Sequence, residues 1–364
     1  MMLMRSSSLA AICIAAAAFI SCGGNDNSGN TITEGSAYVT VPSVNGVAAF
    51  RVDKSANFKA VIGSPFAAGS SPSSILLHPN NKFIYVANRG SNNISLFTPD
   101  TRTGVLTEVM PRTSTGIDPQ AMVMDANGGF IYAVNEASST VSVFSVNSSS
   151  GALTEVAGSP FATPLQPTAL TLSRAGNLLF VTHPNLAAVS VYTVASTGAL
   201  QQVASSPFLV NGMGPAAVVT GSSDHFLYVA NSNSANISIM SVNGTTGALT
   251  EISGSPVAAG TGPIALVPNS TASFLYVLNL QSNNVSAFAM DSNTGMLTAL
   301  TGSPFSAGTG PISGLIDSSG TTLFVVNQGA STISHFGIKA DGTLDAAVAS
   351  QTISSQPSAM VLAK

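Results

Sequence analysis

Gly262–Gly302 reads GPIALVPNSTASFLYVLNLQSNNVSAFAMDSNTGMLTALTG. Four short apolar stretches begin near Ile264, Phe274, Val285 and Met296, and Asn, Ser, Gly or Pro separates each from the next. Runs of roughly 4 to 8 residues rich in Val, Ile, Phe and Tyr, bounded by turn formers, predict strands. No window after residue 36 carries an apolar stripe at helical spacing over a helical length. One such stretch is therefore a four-stranded antiparallel unit.

The unit recurs. An aromatic residue heads its second strand at Tyr38, Tyr85, Tyr132, Phe180, Tyr228, Tyr276 and Phe324, at intervals of 47, 47, 48, 48, 48 and 48. A fixed period of that length signals a repeat architecture, in which each copy buries its faces only against its neighbours. Seven copies of four strands predict an all-β, seven-bladed β-propeller. Pro opens the first strand of each copy at Pro72, Pro119, Pro167, Pro215, Pro263 and Pro311, and once more at Pro357. The segment from Gln356 to Leu362 is thus a first strand with nothing after it, and Ala37 to about Ile62 supplies three strands with nothing before them. Joined in one blade they close the ring and remove its open edge. The predicted propeller spans residues 37–364.

The first 21 residues predict a signal peptide. Arg5 precedes an apolar stretch from Leu9 to Ile20, too short to span a bilayer. The sequence Phe19-Ile20-Ser21-Cys22-Gly23 resembles a bacterial lipoprotein processing site. That resemblance makes Cys22 the lipid-bearing first residue of the mature chain and a membrane its partner. Gly23 in place of Asp points to the outer membrane of an exported protein. Residues 22–36 read as a polar tether with a root-mean-square span of about 20 Å. Cys13 falls in the removed segment, so no cysteine remains for a disulfide or metal.

Asp, Glu, Lys and Arg make up 7% of the chain and the formal net charge is −4. With no basic stripe, a nucleic-acid partner is not expected. There is no His-x-x-x-His, cysteine cluster or calcium-type loop, so neither metal nor cofactor is predicted. A monomer is expected.

The second strands Phe83-Ile84-Tyr85-Val86-Ala87-Asn88 and Phe226-Leu227-Tyr228-Val229-Ala230-Asn231 fit one pattern. With them go third strands such as Asn93-Ile94-Ser95-Leu96-Phe97 and fourth strands such as Gly151-Ala152-Leu153-Thr154-Glu155. Across residues 37–364 this combination resembles the bacterial lactonase, or 6-phosphogluconolactonase-like, family of seven-bladed propellers with YVTN-type repeats. The resemblance implies hydrolysis of a lactone. A phosphorylated sugar acid would require clustered Arg or Lys on the binding face. Only Arg89 is placed there, which argues against that particular substrate.

Residues common to most copies build blades, so departures from the repeat carry the chemistry. The Asn closing the second strand (Asn88, Asn135, Asn231, Asn279, Asn327) and the Gly-Ser-Pro connections read as turn formers. Glu108, Glu155 and Glu251 read as charged protection of the outermost strand. Four departures fall on the loops around one mouth of the central channel. Arg89 follows Asn88, Glu136 follows Asn135, His183 stands where other copies carry Asn, and Asp118 precedes Pro119 where several copies carry Gly. A lactone hydrolase needs a base for the attacking water, supplied by His183 or Glu136. It also needs a cation for the oxyanion, supplied by Arg89. Asp118 orients His183 or pairs with Arg89. The alternative is a non-catalytic propeller whose Ser/Thr/Asn-rich loops bind an envelope protein or a glycan.

Overall fold

The computed structural model describes residues 33–353 and 355–364. The signal peptide and Cys22 lie outside the described residues. Seven antiparallel sheets stand in a ring, and their inner strands contact one another in succession around the full circle. Blade II shows the plan, with inner strand Pro72–Leu77, second strand Ile84–Asn88, third strand Asn93–Pro99 and outer strand Leu106–Ser114. Blades III to VII keep the same strand order, with the outer strand of blades III to VI split into two short pieces. The all-β, seven-bladed architecture is the one expected.

Blade I joins the two ends of the chain. Its second strand, Thr33–Val41, begins ahead of Ala37 and pairs with Met360–Ala363, matching Ser36 to Ala363 and Val39 to Met360. The contact continues through side chains, with Thr40 Oγ1 2.7 Å from Ser358 Oγ and accepting from the Ala359 amide at 2.9 Å.

The phase-marking tyrosines work between blades. Tyr85, Tyr228 and Tyr276 are buried and donate their hydroxyls to the carbonyls of Gly151, Gly295 and Gly342 in the following blade, at 2.8, 3.0 and 2.8 Å. Gly151 has a φ of +73°, and an added Cβ would stand 2.6 Å from the Phe83 ring of blade II. Two requirements therefore fix one glycine: a left-handed backbone and space for the neighbour's aromatic ring. Apolar clusters fill the spaces between adjacent blades, as where Tyr85 and Ile94 of blade II pack with Ile131 and Phe144 of blade III.

The Gly-Ser-Pro connections are more than chain reversals. Ser64, Ser159, Ser255 and Ser303, and Ser206 of the corresponding Ser-Ser-Pro, each accept, through Oγ, a third-strand amide at 2.8–2.9 Å. A two-residue strand such as Phe66–Ala67 then adds to the same third strand. Glu155 and Glu251 accept from the hydroxyls of Ser159 and Ser255, and Glu108 pairs with Arg112 at 2.7 Å. These glutamates brace the connection in addition to charging the edge.

Blades I and IV depart from the plan together. Each lacks the closing Asn, having Val41 or His183 there, and follows it with a short 3₁₀ turn, Pro42–Val44 or Pro184–Leu186. Each also has a Thr just before, Thr40 or Thr182, whose hydroxyl takes the inner-strand amide of Ala359 or Ala169. The hydroxyl bond adds to the backbone bonds of Thr40 and Thr182 with the same segments, and the inner strands there begin at Met360 and Leu170, later than Pro357 and Pro167.

Candidate active site

The loop entering each inner strand and the loop between second and third strands open on the same end of the ring. Seven of these paired loops surround the channel mouth. The residue before the inner-strand proline is left-handed in every blade: Ser71, Asp118, Gln166, Gly214, Gly262, Gly310 and Gln356. Glycine serves there without strain in three blades. Aspartate tolerates a φ of +62° better than most non-glycine residues, and Asp118 is further held there by its partners.

Those partners form the candidate site. Arg89 donates to both Asp118 oxygens, Nε to Oδ1 at 2.9 Å and Nη2 to Oδ2 at 3.1 Å. The same Nη2 lies 4.0 Å from Glu136 Oε2. The Asp118 amide donates to Asn92 Oδ1 at 2.9 Å, and the Glu136 amide donates to the Asp118 carbonyl at 2.9 Å. Two blades thus converge on three of the four residues expected. Asp118 pairs with Arg89, not with His183.

Gln120 completes the group and was not among the expected residues. It is fully buried on the inner strand of blade III, and its Nε2 donates to Asp118 Oδ1 at 3.2 Å and to Glu136 Oε2. Its Oε1 is buried and takes no hydrogen bond among the described residues, as is also true of the Oδ1 of the repeated Asn88, Asn135, Asn231, Asn279 and Asn327. The sequence signal was faint. Inner-strand position two varies freely (Ser73, Gln120, Thr168, Ala216, Ile264, Ile312, Ser358), so a polar residue there does not stand out. Its place two residues after Asp118, at the start of an inner strand, was the available clue.

Glu136 is only 8% exposed. Burial raises its pKa, the Asp118 charge adds to that, and Arg89 and the Gln120 hydrogen bond work against it. Arg89 does not win because Asp118 already takes its two nearest donors. The result is a desolvated carboxylate with proton affinity above the ordinary range, beside a cation fixed in a bidentate pair. Among the described residues, Arg89 Nη1 takes no protein hydrogen bond.

His183 is placed differently. It is fully buried, with Nε2 2.9 Å from Ser190 Oγ and 3.3 Å from Thr163 Oγ1, and Nδ1 3.3 Å from the Leu165 carbonyl. A carbonyl only accepts, so Nδ1 carries the proton and Nε2 accepts the hydroxyls. The ring occupies the position of the repeated Asn: Asn88 Nδ2 contacts Ser95 Oγ at 3.0 Å, and Asn231 Nδ2 contacts Ser238 Oγ at 3.0 Å. Desolvation lowers the His183 pKa to about 4. No hydrogen bond links it to Arg89, Asp118 or Glu136. The expected convergence of four residues is therefore a convergence of three, with His183 tying down the loop at Leu165.

His78 lies on the opposite end, accepting from the Asn80 amide through Nδ1 and donating through Nε2 to Gly128 O at 3.1 Å. His335 lines a groove of about 300 Å³ between blades VII and I with Lys54, Thr322 and Asp345. Among the described residues no group of three His, Cys, Asp or Glu is arranged to hold a metal ion.

The family model described as "Lactonase, 7-bladed beta-propeller" matches residues 30–166, 158–263 and 253–361. The chain belongs to this lactonase family. Similar solved structures include a Lactobacillus plantarum protein with a TM-score of 0.78 and 19% identity, covering 92% of this chain and 100% of its own. A putative 6-phosphogluconolactonase from Bacteroides fragilis has a TM-score of 0.76 and 21% identity, with coverage of 93% and 100%. The periplasmic gluconolactonase PpgL of Pseudomonas aeruginosa has a TM-score of 0.75 and 19% identity, with coverage of 91% and 99%. At these identities the likeness is one of fold. Among curated proteins none matches the sequence. In this member of the lactonase family the repeat builds the scaffold, and the Arg89–Asp118–Gln120–Glu136 group is the departure from it.

Proposed function

We propose that this lactonase-family propeller hydrolyses a lactone at the channel mouth, with Glu136 as general base and Arg89 as oxyanion partner. One observation carries the reading: a buried carboxylate of raised proton affinity, held by Gln120 beside a fixed guanidinium. Membership of the family and the gluconolactonase named among its structural neighbours support the choice of a lactone.

The chemistry follows from the group. Glu136 takes a proton from water as the water oxygen bonds to the lactone carbonyl carbon. The carbonyl π pair moves to its oxygen, and Arg89 Nη1 donates to that oxyanion. Collapse breaks the acyl carbon–ring oxygen bond, and protonated Glu136 returns its proton to the departing alkoxide. Gln120 Nε2 orients the carboxylate. Asp118 holds the guanidinium plane.

The test is a pH-indicator hydrolysis screen over sugar and aliphatic lactones, comparing the protein with Glu136→Gln. Loss of about 10²- to 10⁴-fold in turnover, with an unchanged melting transition, is the expected result. Equal rates in the two proteins would remove the catalytic reading and leave a binding propeller. We further propose envelope anchoring through Cys22. Fatty-acid labelling in cells, expected to vanish in Cys22→Ser, checks it.

A further inference from the structure

The loops entering the inner strands carry a second departure from the repeat, apolar rather than charged. Two positions before the inner-strand proline, four blades have Ser70, Thr261, Thr309 and Ser355. The three consecutive blades III, IV and V have Ile117, Leu165 and Met213 instead. These side chains are 58%, 67% and 62% exposed. A large apolar side chain left in water forgoes the stabilisation of burial, and a contiguous set of them marks a surface that is covered in use.

The arc is rigid and runs on from the candidate site. Ile117 immediately precedes Asp118, and its amide donates to Ser138 Oγ at 3.0 Å. The Thr163 amide donates to the Ser139 carbonyl at 3.0 Å, which joins the loop of Leu165 to the loop that begins with Glu136. His183 holds the Leu165 carbonyl, the Val210 amide donates to Ala187 O at 2.9 Å, and the Met213 amide donates to Ser234 Oγ at 2.9 Å. One hydrogen-bonded rim therefore presents an acid–base group at its blade II–III end and three apolar side chains beyond it.

We propose that Ile117, Leu165 and Met213 form the subsite for an alkyl substituent, so that the ligand of this mouth is an alkyl-substituted lactone and not a polyhydroxylated one. This assignment rests on the hydrolytic reading of the Glu136 group for its ring half. The continuity of the arc with that group favours a single ligand bridging both. A bilayer is the competing occupant of an apolar rim. The described chain enters blade I at Thr33, on the end opposite the mouth, because Val41 and Gly46 form the hairpin at the mouth end of the same strand pair. An amino-terminal tether would attach at the end of the ring opposite the apolar arc.

The experiment compares wild type with Ile117→Ser/Leu165→Ser/Met213→Thr, which installs the residue types of the other blades and keeps every loop amide bond. The kcat/KM for δ-valerolactone, δ-octalactone, δ-decalactone and glucono-δ-lactone is measured for both proteins. A rim burying each methylene on one side gives about a twofold gain per carbon, or roughly 30-fold from δ-valerolactone to δ-decalactone. The triple variant is expected to reduce that gain to about threefold while leaving δ-valerolactone unchanged. A wild-type series flat with chain length, or a preference for glucono-δ-lactone, would overturn the proposal. If neither protein hydrolyses any lactone, the hydrolytic reading fails by itself. Calorimetric binding of 2-heptylcyclopentanone against cyclopentanone then decides the subsite: wild-type preference lost in the variant upholds it, and equal binding refutes it. Wild-type sedimentation with phosphatidylcholine vesicles, lost in the variant, would assign the arc to a lipid surface and overturn the proposal.

Discussion

His183 shows how a substitution in a repeat can look like chemistry and serve construction. An imidazole replaces the amide of Asn88, Asn135, Asn231, Asn279 and Asn327 and reaches the same third-strand serine. The seven-residue spacing from His183 to Ser190 matches Asn88 to Ser95, and that was the signal that it belongs to the scaffold. Burial holds its pKa near 4, whereas an unfolded histidine titrates near 6.5. Between those values the unfolded chain binds the extra proton, so stability is complete above about pH 6.5 and falls as the pH drops toward 4. The loss amounts to about 3 kcal/mol. His183→Asn is expected to flatten this acid limb, measured as melting temperature against pH, and to leave turnover intact. Turnover abolished in a well-folded variant would return His183 to the site. Glu136 has the opposite sign. Its raised pKa means the folded state holds the proton more tightly, so stability declines as pH rises through that range. As a base it must be deprotonated, so turnover is expected to climb over the same range, and the limb should disappear in Glu136→Gln.

At the scale of the element, the strands were legible because their period is set by packing that every blade shares. The site was legible only in part. Arg89, Asp118 and Glu136 stand at loop positions where every other copy is uncharged, so the departure shows. Gln120 sits in a strand position where size and polarity vary anyway, and only the fold brings its amide between two carboxylates. The inter-blade contacts were also hidden, since period alone does not reveal which glycine faces which ring. They can be measured with a pair of substitutions. Gly151 and Gly176 have φ values of +73° and +72°, yet a Cβ meets Phe83 at 2.6 Å in the first and nothing within 4 Å in the second. Gly176→Ala is expected to cost about 1 kcal/mol, from backbone strain alone. Gly151→Ala should cost at least about 1 kcal/mol more, since the Phe83 ring must move in a packed interface. Denaturant titration of both variants checks the difference, and equal costs would mean that the interface yields freely.

For the whole molecule, closure depends on Met360–Ala363. Removing residues 357–364 deletes that inner strand and the Ser358 and Ala359 bonds to Thr40. It exposes the inner edge of blade I and the faces of its neighbours. The truncated chain is expected to lose its cooperative melting transition and to elute as aggregate in size-exclusion chromatography. A monomer that melts as before would show that six blades and a fragment suffice.

The pairing of Thr40 with Ser358 joins residues 318 positions apart. Bringing ends together over that contour costs about 5 kcal/mol of chain entropy beyond a constant. No partial ring recovers this cost, because the bonds that repay it exist only once the last strand arrives. A chain still being synthesised therefore cannot latch until residues 358–363 have been added. It is a necklace whose clasp is made last. The latch in turn gives the finished molecule a slow exit, since opening at any one seam forfeits the closure that the other six seams share.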